Sequence, residues 1–471
     1  MKQREIIELK IDSLAFGGAG VARNEGTVYF VKNSAPGDHA KVMITQRKKK
    51  HKEGVVDSII SPSPFRVKPP CPYFGNCGGC SWQHIDYAEQ VNQKKQIVLD
   101  SIVRIGKLDP KHIGEPMPSP MEFNYRNKME FSFSASRWLS KDEIDKADEI
   151  TNKNFAFGLH APGRFDKAID IESCMLQCER ANQAFKVIRE KSIKSGASAY
   201  NHVKHEGFFR GFLLRYSQAN DQLMAMIITN TVKSKKEIEF MDYYKKEFVK
   251  LFNDRDTVLH AVSATNSPVN LDSIDLISGS GFIYEKILDI EYRISPQSFF
   301  QTNSSHLNGF ISKIVECAEI AENDVVWDLY CGAGSITLPA SRKCAEIYGF
   351  ELVESAISDA KENAERNNIN NAKFYCEDLH KKHIPELLNS MPKPDVVIVD
   401  PPRAGMHPNL VEHLAEIAPK RIVYVSCNPT TQARDLEMLK DKYQITELIP
   451  VDLFPHTYHV ESICRLDKIE A

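Results

Sequence analysis

From Asn303 to the carboxyl terminus, helical and strand-like segments alternate. Nothing else in the 471-residue chain restricts its fold as much. The pattern predicts helix 304–321, strand 324–329, helix 336–344, strand 345–350, helix 355–367, strand 373–376, strand 395–399, a helix near 409–417 and strand 421–426. Strands joined through helices run parallel, so the expected product is a doubly wound α/β sheet. Such sheets bind ligands at the carboxyl ends of their strands, at the point where the strand order reverses. Residues just past those ends are the first candidates for a site.

Five of those ends carry distinctive chemistry. After strand 324–329 comes a turn containing Gly332-Ala-Gly334, which lets a ligand approach the backbone. The third glycine of a dinucleotide fingerprint is missing, because Thr337 stands there, and this disfavours a pyrophosphate cradle. Glu351 ends the next strand, where a carboxylate can accept from both hydroxyls of a ribose. A ribose clamp without a pyrophosphate cradle points to S-adenosylmethionine. A helix N-terminal charge is the competing role for Glu351, and it does not exclude ribose binding. Asp378 is placed to face the adenine. Asp400-Pro-Pro-Arg403 follows strand 395–399, its prolines fixing the backbone that holds Asp400. Amino-methylating enzymes carry an aromatic where Arg403 stands, which counts against amine methylation.

Strand 421–426 drives four apolar residues toward Cys427 and stops at Asn428-Pro429. A buried structural cysteine is the ordinary reading of such a thiol. Its position at a strand-to-turn junction, beside the other motifs, favours a nucleophile. A thiol next to a methyl donor suits a carbon too unreactive to attack a sulfonium unaided, and C5 of a pyrimidine is one. Thiolate addition at C6 makes C5 enolate-like, dividing one hard step into several easier ones. A base must then remove the C5 proton; Glu461 in the last strand-like segment is the candidate, with His456 behind it. A base inside an RNA has to be flipped out to reach such a pocket.

Upstream, the length calls for two or three domains. A net charge of −3 selects no partner, but residues 1–70 hold 13 Lys and Arg against 7 Asp and Glu. A basic front end suggests a polyanion contacted there. Strands are expected at 6–11, 27–31, 40–45 and 54–60, with breakers at Gly17–Gly20 and Pro36-Gly37, a pattern that suits a small oligonucleotide-binding barrel. The run Arg47-Lys-Lys-Lys-His-Lys52 sits in one connection, as an RNA contact or a solvated loop. The charged amino terminus has no apolar leader and no stretch reaches membrane-spanning length, which places the protein in the cytoplasm, away from membranes.

Eleven cysteines in such a compartment stay reduced, so metal binding or catalysis outranks a disulfide framework. Cys71, Cys77 and Cys80 form a C-x5-C-x2-C array on a glycine-rich loop, with Cys174 and Cys178 the next along the chain. Four thiolates suit tetrahedral zinc or an iron–sulfur cluster alike. An amphipathic helix is expected over 87–105. From 123 to about 294 the pattern is mainly antiparallel β, with 208–216 pairing with 222–229 and helices at 181–192 and 235–252. Tyr125-Arg-Asn-Lys128 reads equally as a nucleic-acid contact or a salted strand edge.

These residues resemble the RNA uracil-5-methyltransferases, and within them the iron–sulfur branch acting on bacterial 23S ribosomal RNA. The resemblance covers nearly the whole chain. It implies a TRAM-like, OB-like RNA-binding barrel over 1–61 and a central domain over 62–300. That domain carries a [4Fe-4S] cluster and the helix at 87–105, which packs on the catalytic domain. A Rossmann-like, S-adenosylmethionine-dependent methyltransferase domain follows over 301–471. The cluster ligands implied are Cys71, Cys77, Cys80 and Cys174, with Cys178 less well placed. The segment Ser295-Pro-Gln-Ser-Phe-Phe-Gln301-Thr-Asn303 implies Gln301 in cofactor binding, and Tyr330, Glu351 and Asp400 fall at the other cofactor positions. Ser426-Cys427-Asn428-Pro429 resembles the nucleophile motif, and His459-Val460-Glu461 the motif carrying the base. Ser335 stands where some relatives carry Asn and is given no cofactor contact. The barrel and cluster cysteines, commonly lacking in the transfer-RNA branch, imply 23S ribosomal RNA as partner; nothing in the sequence suggests an obligate dimer, and a monomer is expected. The same chemistry on transfer RNA is the first alternative; a non-catalytic RNA-binding or ribosome assembly factor is the second.

Overall fold

The computed structural model describes residues 5–470 except 111, 146–149, 151, 267–269, 299 and 382–383, so Phe299 of the Gln301 segment and the first four residues lie outside the description. The amino-terminal strands Ile6–Lys10, Ser13–Leu14, Gly20–Asn24, Thr27–Lys32, His39–Arg47 and His51–Ser61 form one six-stranded sheet. It wraps a core of its own that includes Leu9, Tyr29, Val31 and Val42. Strand Gly20–Asn24 was hidden in the sequence because a glycine opens it. A Cβ on Gly20 would stand 2.1 Å from Ser34 Oγ, so the glycine admits a neighbour and does not break the strand. Arg47 and Lys52 lie within the last two strands, and Lys48 to Lys50 form the exposed tip between them.

The middle of the chain supplies a second six-stranded sheet, antiparallel except where Gln222–Thr229 runs alongside Thr257–Val262. The expected hairpin is there, Phe209–Ser217 pairing antiparallel with Gln222–Thr229. Helix 235–252 divides in two, ending as an α-helix at Lys246 and resuming as a short 3-10 turn over Phe248–Leu251. Tyr125 is not a nucleotide platform. It is buried, and its hydroxyl donates to Pro455 O at 3.2 Å.

The carboxyl-terminal sheet has seven strands: β1 (Val325–Leu329), β2 (Glu346–Glu351), β3 (Ala372–Cys376), β4 (Val396–Val399), β5 (Arg421–Ser426), β6 (Tyr443–Val451) and β7 (Glu461–Lys468). Their order across the sheet is β3-β2-β1-β4-β5-β7-β6. The first five are parallel; β7 runs antiparallel to both β5 and β6. Ile422 to Val425 are fully buried and β-branched or aromatic, which suits a strand covered on both faces. The strand order reverses between β1 and β4, so their carboxyl ends open a crevice. Asn428 turns out to cap a helix and not merely to end a strand. Its side chain accepts from Thr430 N at 3.1 Å, and Pro429 takes the first position of α2 (Pro429–Leu439), where its missing N–H costs nothing.

Helix α1 (Tyr87–Arg104) packs against α2 through Ile97, Val98 and Ile102 in the core shared with Ala433 and Leu436. Beyond β6, residues 452–460 form a loop gripped from several sides. Lys94 of α1 donates to Asp452 at 2.6 Å and to Phe454 O at 3.0 Å, and Asn303 Nδ2 donates to Leu453 O at 3.1 Å. Both Lys94 and Asp452 are buried, so removing one partner strands the other in a poor dielectric. Lys94→Met is expected to destabilise the protein by about 3–5 kcal/mol, read as a lower urea midpoint, with Lys94→Met/Asp452→Leu recovering most of the loss.

Candidate active site

Register places the chemistry. Leu329 of β1 pairs with Phe350 of β2 and with Val399 of β4. The next residue on each strand therefore falls in one row, Glu351, Tyr330 and Asp400 side by side. On the other flank of β4, Val399 pairs with Tyr424 of β5, so Asp400 lies beside Val425 and close to the end that carries Cys427. Ser426 of β5 is paired with Ser462 of β7, and one step further Cys427 faces Glu461. The crevice is thus edged by Glu351, Tyr330, Asp400, Cys427 and Glu461. That edge brings together the catalytic and cofactor candidates except Gln301, His456 and Asp378, the last lying past β3 where it accepts from His380 N at 3.0 Å.

Their electrostatics are coupled. Glu461 is 4% exposed; burial lifts its pKa well above the usual carboxylate value, Asp400 adding to the effect and Arg403 opposing it. Desolvation raises Asp400 to about 7. Burial pushes the Cys427 thiol up to about 12, helped by the charges of Glu461 and Asp400 and opposed by Arg403. Burial, with the neighbouring carboxylates behind it, therefore holds Cys427 as a thiol. Arg403 faces this cluster with its carbonyl pinned by Asn428 Nδ2 at 2.9 Å, so the Pro-Pro-Arg turn is tied to the Cys427 turn.

On the cofactor side, Tyr330 adopts φ +67°, the left-handed region that an aromatic residue enters only under constraint. Glu351 accepts from Gly332 N at 3.2 Å and from Val353 N at 2.9 Å, which fixes its carboxylate at the strand end. A Cβ added to Gly332 would meet nothing within 4 Å, so the turn borders open space as a cradle for a ligand must. Asp328 was not singled out from the sequence. It is fully buried, one carboxylate oxygen accepts from Thr337 Oγ1, and the other has no partner. Thr337 therefore occupies the missing-glycine position because its hydroxyl serves Asp328. Gln301 is held through its backbone, its carbonyl accepting from Asn127 Nδ2 at 2.8 Å.

Comparison with known proteins decides the family. Residues 275–469 match the tRNA (Uracil-5-)-methyltransferase family and residues 1–56 the TRAM domain. An uncharacterized RNA methyltransferase of Chlorobaculum tepidum is 38% identical, over 93% of this chain and 90% of the relative; one from Bacteroides thetaiotaomicron is 36% identical, over 96% and 100%. The chain belongs to the RNA uracil-5-methyltransferase family. Among solved structures, the Pyrococcus abyssi tRNA (uracil-54, C5)-methyltransferase in complex with S-adenosyl-L-homocysteine matches with a TM-score of 0.72 and 29% identity, covering 98% of this chain and 100% of that one. The match includes the amino-terminal sheet. A barrel of this kind therefore does not by itself set an uracil-5-methyltransferase apart from those acting on transfer RNA.

In this member of the family, Cys71, Cys77, Cys80 and Cys174 line one small apolar cavity. Cys77 Sγ accepts from Gly79 N at 3.4 Å, and Asn182 holds Cys174 by its backbone N and O. Gly78 must lack a side chain, since a Cβ there would stand 2.8 Å from His160 O. Cys178 lies outside the cavity lining, at the amino-terminal end of helix Glu179–Ser195. Among the described residues, no group of three or more His, Cys, Asp or Glu side chains is arranged as it stands to hold a metal ion.

His456 does not back Glu461. Its Nδ1 lies 3.2 Å from Gln90 Nε2, its ring stacks on Phe123, and its carbonyl accepts from Ser81 and Trp82. Burial lowers its pKa to about 4, so it is a neutral strut between the cysteine loop, α1 and the loop before β7. His459 instead faces the site, its Nδ1 3.4 Å from the Arg403 guanidinium. Burial and that cation lower it to about 4. The amino-terminal sheet also reaches this rim, with the Phe16 and Tyr458 rings edge to face at 6.0 Å.

Proposed function

We propose that the protein transfers a methyl group from S-adenosylmethionine to C5 of a uridine in RNA, with Cys427 as nucleophile and Glu461 as base. The observation that carries this is the opposition of Cys427 and Glu461 across the β5–β7 pair, one strand from Asp400. Cys427 gives up its proton to solvent, recovering one after it leaves, and its thiolate adds to C6, leaving C5 enolate-like. C5 takes the methyl group, which the cofactor supplies when bound. Glu461 then accepts the C5 proton, the C6–S bond breaks, the C5–C6 double bond returns and the thiolate leaves. Glu351 is assigned to the ribose, with Tyr330, Gln301 and Asp400 around the rest of the cofactor.

The finer reading is 23S ribosomal RNA as substrate, supported by the resemblance of the cysteine array to the ribosomal branch. Transfer RNA is the second reading, favoured by the whole-length match to an enzyme named for uracil-54 of tRNA. Mapping 5-methyluridine in both RNAs from cells lacking the protein separates them. One lost site in 23S RNA supports the first reading and one lost site in transfer RNA replaces it. No loss in either sinks the activity and leaves an assembly factor.

The four thiols around the cavity also support a [4Fe-4S] cluster held by Cys71, Cys77, Cys80 and Cys174. Four thiolates alone suit zinc or a cluster alike, and the resemblance of the array to the iron–sulfur branch favours the cluster. Anaerobically purified protein is expected to contain iron and acid-labile sulfide in about equal amounts, close to four of each per chain. Stoichiometric zinc without sulfide would overturn the assignment.

A further inference from the structure

We propose that Tyr458 and His459 form a stacking shelf for the unpaired nucleotide next to the target uridine, so that the substrate enters as a single strand crossing from the amino-terminal sheet to Cys427. This rests on the functional reading above and deepens it. Tyr458 and His459 become substrate-positioning residues.

A continuous row of side chains joins the amino-terminal sheet to the nucleophile turn. The Phe16 and Tyr458 rings meet edge to face at 6.0 Å, and the Tyr458 and His459 ring centres lie 4.2 Å apart. His459 Nδ1 is 3.4 Å from Arg403 Nη2, and the Arg403 carbonyl is held by Asn428, the neighbour of Cys427. None of the four is closed off: Phe16, Tyr458 and His459 are half-buried and Arg403 is exposed. Tyr125 and His456, by contrast, are buried and serve packing.

The row is fixed before any RNA arrives. Gly18, at φ +87°, brings the turn of residues 15–19 against Tyr458, where a Cβ would stand 3.0 Å from ring atom Cδ1. Trp82 Nε1 donates to Gly18 O at 3.2 Å and pins the same turn. Phe454 meets the His459 ring edge to face at 5.9 Å. A guanidinium can only donate, so His459 Nδ1 accepts from Arg403 and the imidazole is held neutral.

Rigid rings at a rim, with a cation beside them, suit a flexible strand of RNA, because every base has a face to stack and every link a phosphate to neutralise. A base inside a helix has both faces covered by its neighbours, so the shelf takes an unpaired one. The target uridine must itself leave its stack to reach Cys427. The shelf lies three and two residues before Glu461, so a nucleotide seated on it registers the base that Glu461 must reach.

The test uses a fragment of the RNA whose uridine the mapping above identifies, with 2-aminopurine or an abasic residue next to the target, on each side in turn. Binding is measured without cofactor. On one side, 2-aminopurine should lose most of its fluorescence on binding the unaltered protein, as a stacked base does. The abasic residue there should weaken binding by roughly 5- to 150-fold, the range for one base on one ring. Tyr458→Leu should weaken the intact RNA by a similar factor, restore the fluorescence and make the abasic residue nearly harmless, whereas Tyr458→Phe should match the unaltered protein. A merely structural Tyr458 would leave the abasic penalty whole in Tyr458→Leu, and that result overturns the proposal. So does an unaltered protein indifferent to the base on both sides. If Tyr458→Leu fails to fold, His459→Leu is read by the same comparison. A companion RNA with 5-fluorouridine at the target keeps the two readings apart: no Cys427 adduct in the unaltered protein refutes the functional reading, and an adduct without a base effect on either side refutes the shelf alone.

Discussion

Cys427→Ala is expected to lower methyl transfer by roughly 10^4-fold or more, the scale on which removal of a covalent nucleophile acts. It should also abolish the heat-stable adduct that the unaltered protein forms with RNA carrying 5-fluorouridine at the target. Fluorine at C5 cannot leave as a proton, so addition of Cys427 and methyl transfer proceed while elimination does not. The variant should fold normally, because Cys427 lies past the end of β5 and the buried residues of that strand are Ile422 to Ser426. Denaturing electrophoresis of the adduct and tritium transfer from labelled S-adenosylmethionine measure the two effects separately. Wild-type methylation by the alanine variant would remove Cys427 from the reaction. The thiol's raised pKa does not conflict with this role. The pressures holding its proton are burial and two carboxylates, and a cationic cofactor with Arg403 opposes the second of these.

How much of this was legible beforehand depended on whether a signal was local. The parallel strands were readable because each is a short apolar run between breakers, and β5 falls where the sequence puts it. Cys427, Glu461, Asp400 and Glu351 were readable as strand-end residues. Their arrangement in one row needs the register, which no single segment contains. Tyr330 was named by the family resemblance and not by its own residue type, and its positive φ marks the constraint on it. Asp328 reads in sequence as a strand interior with a stray charge; its meaning lies in Thr337, nine residues on. The edge strand β6 was missed because Pro450 interrupts its alternation, and an edge strand tolerates a proline that an inner one would not. His456 was misassigned because nearness in sequence to Glu461 suggested nearness in space. The chain turns at His456, where φ is +64°, and the ring goes to Gln90 and Phe123, 366 and 333 positions away along the chain.

That turn explains why a catalytic domain carries so much chain ahead of it. Glu461 opens β7 directly after residues 452–460, and those residues have no regular structure of their own. Lys94, Gln90, Trp82, Tyr125 and Asn303 bond to them, and Phe16 and Gly18 of the amino-terminal sheet pack on Tyr458. The cysteine loop takes part, because Ser81 and Trp82 follow Cys80 and both donate to His456 O at 2.9 Å. A metal centre at that loop would thus set the loop preceding Glu461, about as far from electron transfer as a role for a cluster can be.

Glu461→Gln should separate methyl transfer from release. Glutamine keeps the shape at the start of β7 and cannot take a proton, so addition of Cys427 at C6 and methylation at C5 remain open. Removal of the C5 proton should slow by about 10²- to 10⁴-fold, the usual contribution of a positioned base. RNA with an ordinary uridine should then accumulate as a methylated covalent adduct of the variant, whereas the unaltered protein turns over and shows none. A single-turnover experiment with labelled cofactor should find the label in the adduct at early times and in free RNA only slowly. Free methylated RNA released at the unaltered rate would show that another group takes the proton. No adduct and no methylation would place Glu461 before transfer, as the acceptor of the Cys427 proton. The pH profile distinguishes these cases. If Glu461 accepts from C5, raising the pH should speed release in the unaltered protein while Glu461, its pKa raised by burial, ionises, and should leave release from Glu461→Gln unchanged over the same range.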